Sequence, residues 1–171
     1  MASKVYGVTI WGNEFLDGIM QATDKGRLAR GKTYANTNRV YEVVLSKNKI
    51  SAKVEGNHSP YYEVSLVFDI SNGDNKDKII RFIDDNPLTL AGMSNGGMPR
   101  EMLEYIRQED ISIFTDFDAH CDCYDFMEDY ACKHIAGLYY VLTAEIDKNP
   151  LLLFTLNDID LMAHYRIEDK A

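Results

Sequence analysis

Every cysteine of this 171-residue chain lies in one short run: Cys121-Asp122-Cys123, eight residues, then Cys132-Lys133-His134. Three thiols and an imidazole complete a tetrahedral ligand set for Zn²⁺, which takes sulfur at about 2.3 Å and imidazole nitrogen at about 2.0–2.1 Å. A set with no open position holds a fold together and does not activate water. The spacing therefore points to a structural Zn²⁺ on Cys121, Cys123, Cys132 and His134. The competing reading is three buried thiols clustered without a metal. An odd number of cysteines in one cluster does not suit a secreted disulfide framework, so a reducing cytoplasm is the expected compartment.

The ligand spacing also dictates local structure. Residues i and i+2 face the same way in an extended segment, so Cys121 and Cys123 are expected there, with Asp122 pointing away. In a helix, residues two apart are separated by about 200°. Cys132 must then sit at or just before a helix N-terminus, with His134 on the first turn. The following run, Ile135 to Ile146, is apolar around most of its circumference and predicts a helix buried on more than one face. Its N-terminal dipole favours a thiolate at Cys132. His120, beside Cys121, is expected to be exposed or to stand outside the ligand set.

Upstream, Asn13 is read as the cap of a helix carrying Phe15, Leu16, Ile19 and Met20 at helical spacing. The basic stretch Lys25 to Tyr34, with glycines on either side of Arg27–Arg30, reads as a solvated turn or as a phosphate-facing loop. Period-two alternation then predicts strands over Val40–Leu45, Lys49–Val54 and Tyr61–Phe68, arranged as a meander. A helix over Lys76–Asp85, a loop over Leu88–Met98, a helix opened by Pro99 and a short strand over Ile111–Phe114 complete the expectation. The fold class is α+β: a three-stranded antiparallel sheet with helices, followed by a zinc-stabilised strand–loop–helix unit. Residues 1–87 would form an α+β region and 88–171 a helix, the finger and a C-terminal tail, packed as one unit.

Charge divides the chain. The net −9 splits into +4 over residues 1–56 and −13 over 57–171, and three thiolates with Zn²⁺ add a further −1. Lys25, Arg27, Arg30, Lys32 and Arg39 are the candidate phosphate-facing residues of the basic half, within a Lys25–Lys53 region. Asp125, Glu128 and Asp129, between the two ligand pairs, oppose phosphate contact through the finger itself. No Walker-type loop, G-x-S-x-G or H-E-x-x-H is present, and the pairs Asp116/Asp118 and Asp158/Asp160 read as acidic turns, so no enzyme and no small-molecule substrate is expected. The longest apolar stretch, Ile135–Leu142, is well short of the roughly 18 residues that span a bilayer, and residues 1–11 do not read as a leader.

The C-x-C-x8-C-x-H run with its trailing helix resembles the SWIM zinc finger, and the likeness to bacterial and archaeal SWIM proteins extends over nearly the whole chain. It is carried by Trp11-Gly12, Gly26 to Ala35, Val54-Glu55-Gly56 with Pro60-Tyr61, Leu90-Ala91-Gly92 with Met98-Pro99, Cys132 to Ala136, and Asp147 to Phe154. Tyr124 and Ala131 stand where the family usually has proline, which loosens the loop between ligand pairs without touching the ligands. The resemblance implies Zn²⁺ on Cys121, Cys123, Cys132 and His134. It also implies a protein-interaction module in DNA-related processes, with a Swi/Snf-type helicase-like ATPase as a partner, or alternatively direct nucleic-acid binding.

Overall fold

The computed structural model of the chain describes residues 4–70, 73–114, 116–127 and 130–169, with side chains as far as 165 in the last helix. In chain order the elements are α1 (Ile10–Met20), α2 (Lys25–Asn36), β1 (Val40–Ser46), β2 (Lys49–Glu55), β3 (Tyr61–Phe68), α3 (Gly73–Asp85), α4 (Leu88–Ser94), α5 (Arg100–Gln108), β4 (Phe117–Cys121), α6 (Lys133–Lys148), α7 (Leu151–Leu156) and α8 (Leu161–Asp169).

The alternation over residues 40–68 produces the expected meander. Ile50, Ala52 and Val54 of β2 and Val64, Leu66 and Phe68 of β3 point to one buried face, with Ile50 opposite Leu66 and Val54 opposite Tyr62. β1 forms one edge of the sheet; its register shifts between Tyr41 and Val44, where Glu42 adopts a positive φ of 51°. Such a bulge bends an edge strand and interrupts its free ladder.

Four strands form the sheet, not three. β4 adds to β3 in antiparallel register, Phe117 opposite Phe68 and Cys121 opposite Val64, giving the order β1-β2-β3-β4. The strand expected over Ile111–Phe114 is absent there. Ile111 and Ile113 are buried, but this segment pairs with no strand; the Asn157 side chain donates to the Ile113 carbonyl instead. Its apolar alternation reflects packing of a connection, and the ladder begins three residues later.

Three helical expectations are also corrected. α1 is capped by Thr9, whose hydroxyl accepts from the Gly12 amide, while Asn13 lies inside the helix. The basic stretch is neither turn nor loop. Asp24 caps it through the Arg27 amide, and strong helix formers carry it to Asn36. Its inner glycine, Gly31, serves close helix packing: a Cβ there would meet the backbone of α6. Leu88–Ser94 likewise forms α4 instead of a loop.

α6 runs through the centre, with Ile135, Leu138, Tyr139, Leu142 and Ile146 almost fully buried. Each such side chain stabilises the fold by roughly 1.5–3 kcal/mol. Tyr139 stacks on Phe15 of α1 with ring centroids 4.4 Å apart and donates its hydroxyl to the Phe15 carbonyl. Trp11 donates its indole N–H to the Ile146 carbonyl at 3.2 Å. One continuous apolar cluster joins α1, the inner sheet face, α5, α6 and α7. No helix among the described residues is long and apolar enough to cross a membrane.

Candidate metal centre

The two ligand pairs come from opposite sides of the core. Cys121 is the last residue of β4, and Cys123 lies on the bend that follows. Asp122 points away, its carboxylate accepting the Glu63 amide at 3.1 Å and so extending the sheet's pairing by one bond. Cys132 is the N-cap of α6, with extended backbone (φ −77°, ψ 172°), and His134 is on the first turn. The segment before Cys132 is anchored to the α1–α2 connection: the Ala131 amide donates to the Ala22 carbonyl at 3.0 Å, and the Thr23 hydroxyl to the Ala131 carbonyl at 2.7 Å.

All four donor atoms lie within 4.8 Å of one another. The residues are 1%, 8%, 0% and 3% exposed for Cys121, Cys123, Cys132 and His134 respectively. His134 Nδ1 is 3.7 Å from Cys121 Sγ and 3.8 Å from Cys132 Sγ. A tetrahedron with spokes of Zn–S and Zn–N length has S···N edges of roughly 3.6 Å, so these separations fit a shared ion. Nδ1 is then the ligating nitrogen. His134 Nε2 is buried with no hydrogen-bond partner among the described residues. The ring is held instead by contacts with Tyr62 and Tyr34, at centroid distances of 4.6 and 5.5 Å.

The thiols are unequal. The Cys121 thiol turned towards it, followed by His134 and the Ile135 amide, holds the Cys132 thiol down to about 4 despite its burial. The same partnership pushes the Cys121 thiol up, with burial adding to it, and burial pushes Cys123 up as well. The fold thus stabilises one thiolate by itself. Ionising all three in this small, dry volume takes a cation, and metal binding at such a site releases protons and couples to folding. The buried Cys121/Cys123/Cys132/His134 cluster can hold a metal ion such as zinc.

His120 faces away from the cluster, exposed, with its ring edge-on to Phe126 at 5.3 Å. The acidic pairs Asp116/Asp118 and Asp158/Asp160 join no ligand cluster among the described residues.

The five basic candidates do not line one common cavity. Arg27 is bound twice: one guanidinium N–H meets Asp24 at 2.5 Å, while Nε and Nη2 clamp both oxygens of Asp125 at 3.0 and 2.8 Å. This holds the finger's first loop against α2 and keeps the carboxyls of Asp24 and Asp125 below their ordinary range. Glu128 and Asp129 lie outside the described residues. Arg30 borders a cavity of about 330 Å³ together with Arg27, Lys133, Asp125, Cys123 and His134. A second cavity of about 220 Å³ shares Arg30, Asn57 and Lys133 with the first and adds Arg39. Lys25 and Lys32 line neither, because each sits about 200° around α2 from Arg27 or Arg30. Lys133 belongs to this basic groove and Asp125 is neutralised beside it. Both facts depend on α2 lying against the finger, which no local pattern announces.

The chain is distantly related to an uncharacterized protein of Mycobacterium tuberculosis (strain ATCC 25618 / H37Rv), Rv2102, at 22% identity over 149 residues. The match covers 85% of this chain and 53% of the relative, so the chain spans about half the relative's length. No protein-family model and no solved structure matches it.

Proposed function

We propose that this chain is a SWIM-type zinc-finger protein in which Zn²⁺ on Cys121, Cys123, Cys132 and His134 is a structural clamp. In this reading it works as a protein-interaction module in DNA-related processes, with a Swi/Snf-type helicase-like ATPase as the class of partner. One observation carries it: four soft donor atoms within 4.8 Å of one another, all on buried residues. A buried, four-donor set leaves no coordination position for substrate, which favours a binding role over catalysis. A protein partner is further supported by the edge strand β1, where Tyr41, Val43 and Val44 are exposed beside an otherwise acidic chain. A reducing cytoplasm would keep the three thiols available to the metal.

Direct nucleic-acid binding is the second reading, favoured by the convergence of Arg30, Arg39 and Lys133 on adjoining cavities. Native mass spectrometry and elemental analysis test the clamp: one zinc per chain is expected, and none in Cys132→Ser. Capture of a purified Swi/Snf-type ATPase by zinc-loaded but not chelated protein tests the partner. Zinc-free protein that folds and captures normally would overturn the reading.

A further inference from the structure

We propose that the groove between α2, the β2–β3 turn and the first turn of α6 is a phosphate-binding site. Its two chambers of about 330 and 220 Å³ share Arg30, Asn57 and Lys133 as a common wall. Four cations line them, Arg27, Arg30, Arg39 and Lys133, against one carboxylate, Asp125. Arg27 occupies both oxygens of Asp125, so that carboxylate is already compensated. A loaded Cys₃His cage contributes −1, leaving the lining at about +2.

The remaining cations are presented, not merely nearby. Tyr34 is buried, and its ring carries Arg39 at 5.2 Å and Lys133 at 5.6 Å. Cation–π contact with one buried ring holds both charges at the groove wall they share with Arg30 and Asn57. Arg30 is exposed on α2, and among the described residues Arg30, Arg39 and Lys133 form no ion pair. The Asn57 side chain adds an amide, and His134 stands in the wall, its buried Nε2 without a hydrogen-bond partner among the described residues. An oxygen-rich occupant, directly or through water, is the chemistry that satisfies such a lining.

The metal reading enters because Cys123, Lys133 and His134 form part of this wall, so an ordered cage sets its shape. Whether the occupant is the backbone of a nucleic-acid strand or a small phosphate compound is a question of source, since the recognised group is the same.

The test titrates the zinc-quantified full chain with inorganic phosphate and, separately, with a short single-stranded oligodeoxynucleotide. Amide chemical shifts of Arg30, Asn57 and Lys133 are followed, and affinities are measured at two salt concentrations. Arg30→Gln should weaken binding about tenfold, the loss of one charge-assisted contact, and Arg30→Gln/Arg39→Gln by more. Lys25→Gln, also exposed on α2 but outside both chambers, should change little. Phosphate competing with a tighter oligonucleotide identifies a nucleic-acid strand as the source; phosphate binding without oligonucleotide affinity identifies a small compound. No groove shifts with either probe, or Lys25→Gln and Arg30→Gln weakening binding equally, overturns the site. Zinc present with no groove binding removes this site and leaves the clamp. Groove binding by zinc-free protein removes the clamp and leaves the site.

Discussion

Gly31 of α2 and Ala136 of α6 mark the point where the two helices touch backbone to backbone. A Cβ built on Gly31 would lie 2.5 Å from the Ala136 Cβ and 2.8 Å from the Gly137 amide nitrogen. The contact holds the basic helix against the helix that carries His134. The position of Arg27 and Arg30 beside the metal centre therefore depends on a missing side chain.

Gly31→Ala should destabilise the protein by about 1–3 kcal/mol, the usual cost of forcing atoms into a packed contact. Gly73, where an added Cβ meets nothing within 4 Å, provides the control: Gly73→Ala should stay within about 0.5 kcal/mol of wild type. Urea denaturation of both variants measures the difference.

Asp147, in the last turn of α6, accepts the Gly7 amide at 2.8 Å, the Thr9 amide at 3.1 Å and the Thr9 hydroxyl at 2.6 Å. It fixes the residue that caps α1. Asp147→Ala leaves several donors unpaired at once, and a loss of about 1–3 kcal/mol is expected, with faster amide exchange at Gly7 and Thr9 as the local signature.

Asp24 supplies a pH dependence of known sign. The Arg27 amide, then the Arg27 guanidinium and the Tyr130 hydroxyl, hold its carboxyl down to about 2. A carboxyl depressed in the folded state contributes stability that is fully present above its unfolded value of about 3.9 and is lost as pH falls from there through about 2. Asp24→Asn keeps a good cap but removes the charge. The stability gap between wild type and Asp24→Asn should narrow steadily from pH 5 to pH 2 in denaturation curves; a gap that widens would reverse the assignment.

Metal removal should act where β4 meets α6. Cys121 ends a strand paired to β3, and Cys132 and His134 open the central helix. Chelation is expected to raise amide exchange in residues 117–134 far more than in the β1–β2 pairing, which the ligands do not touch. Equal loss of protection throughout, read by hydrogen exchange with mass spectrometry, would contradict this. The outcome differs from melting the finger apart from the sheet, since β4 belongs to both.

What could be read from the sequence follows from how local each constraint is. Four ligands within fourteen residues, and the impossibility of an i, i+2 pair on one helical face, placed Cys132 at the cap of α6 and His134 on its first turn. Alternation placed β1, β2 and β3. β4 escaped because its partner, β3, lies some fifty residues earlier and because its alternation from Phe117 to Cys121 lasts only five residues. The basic helix escaped because glycine serves turns and tight packing alike, and only the partner helix decides which. The Arg27–Asp125 clamp spans 98 positions; each residue taken alone is an unremarkable surface charge, and the acidic loop accordingly looked like an obstacle to phosphate.

The edge position of β4 carries a further consequence. Only five residues long, it covers the hydrogen-bonding edge of β3, beneath which lie Val64, Leu66 and Phe68. A metal-starved chain whose β4 came away would offer an open, apolar-backed strand edge, which is a template for joining another chain. The ion at Cys121 would then decide more than the shape of one molecule: it would keep newly made copies from adhering to each other, a protection lost where zinc is scarce.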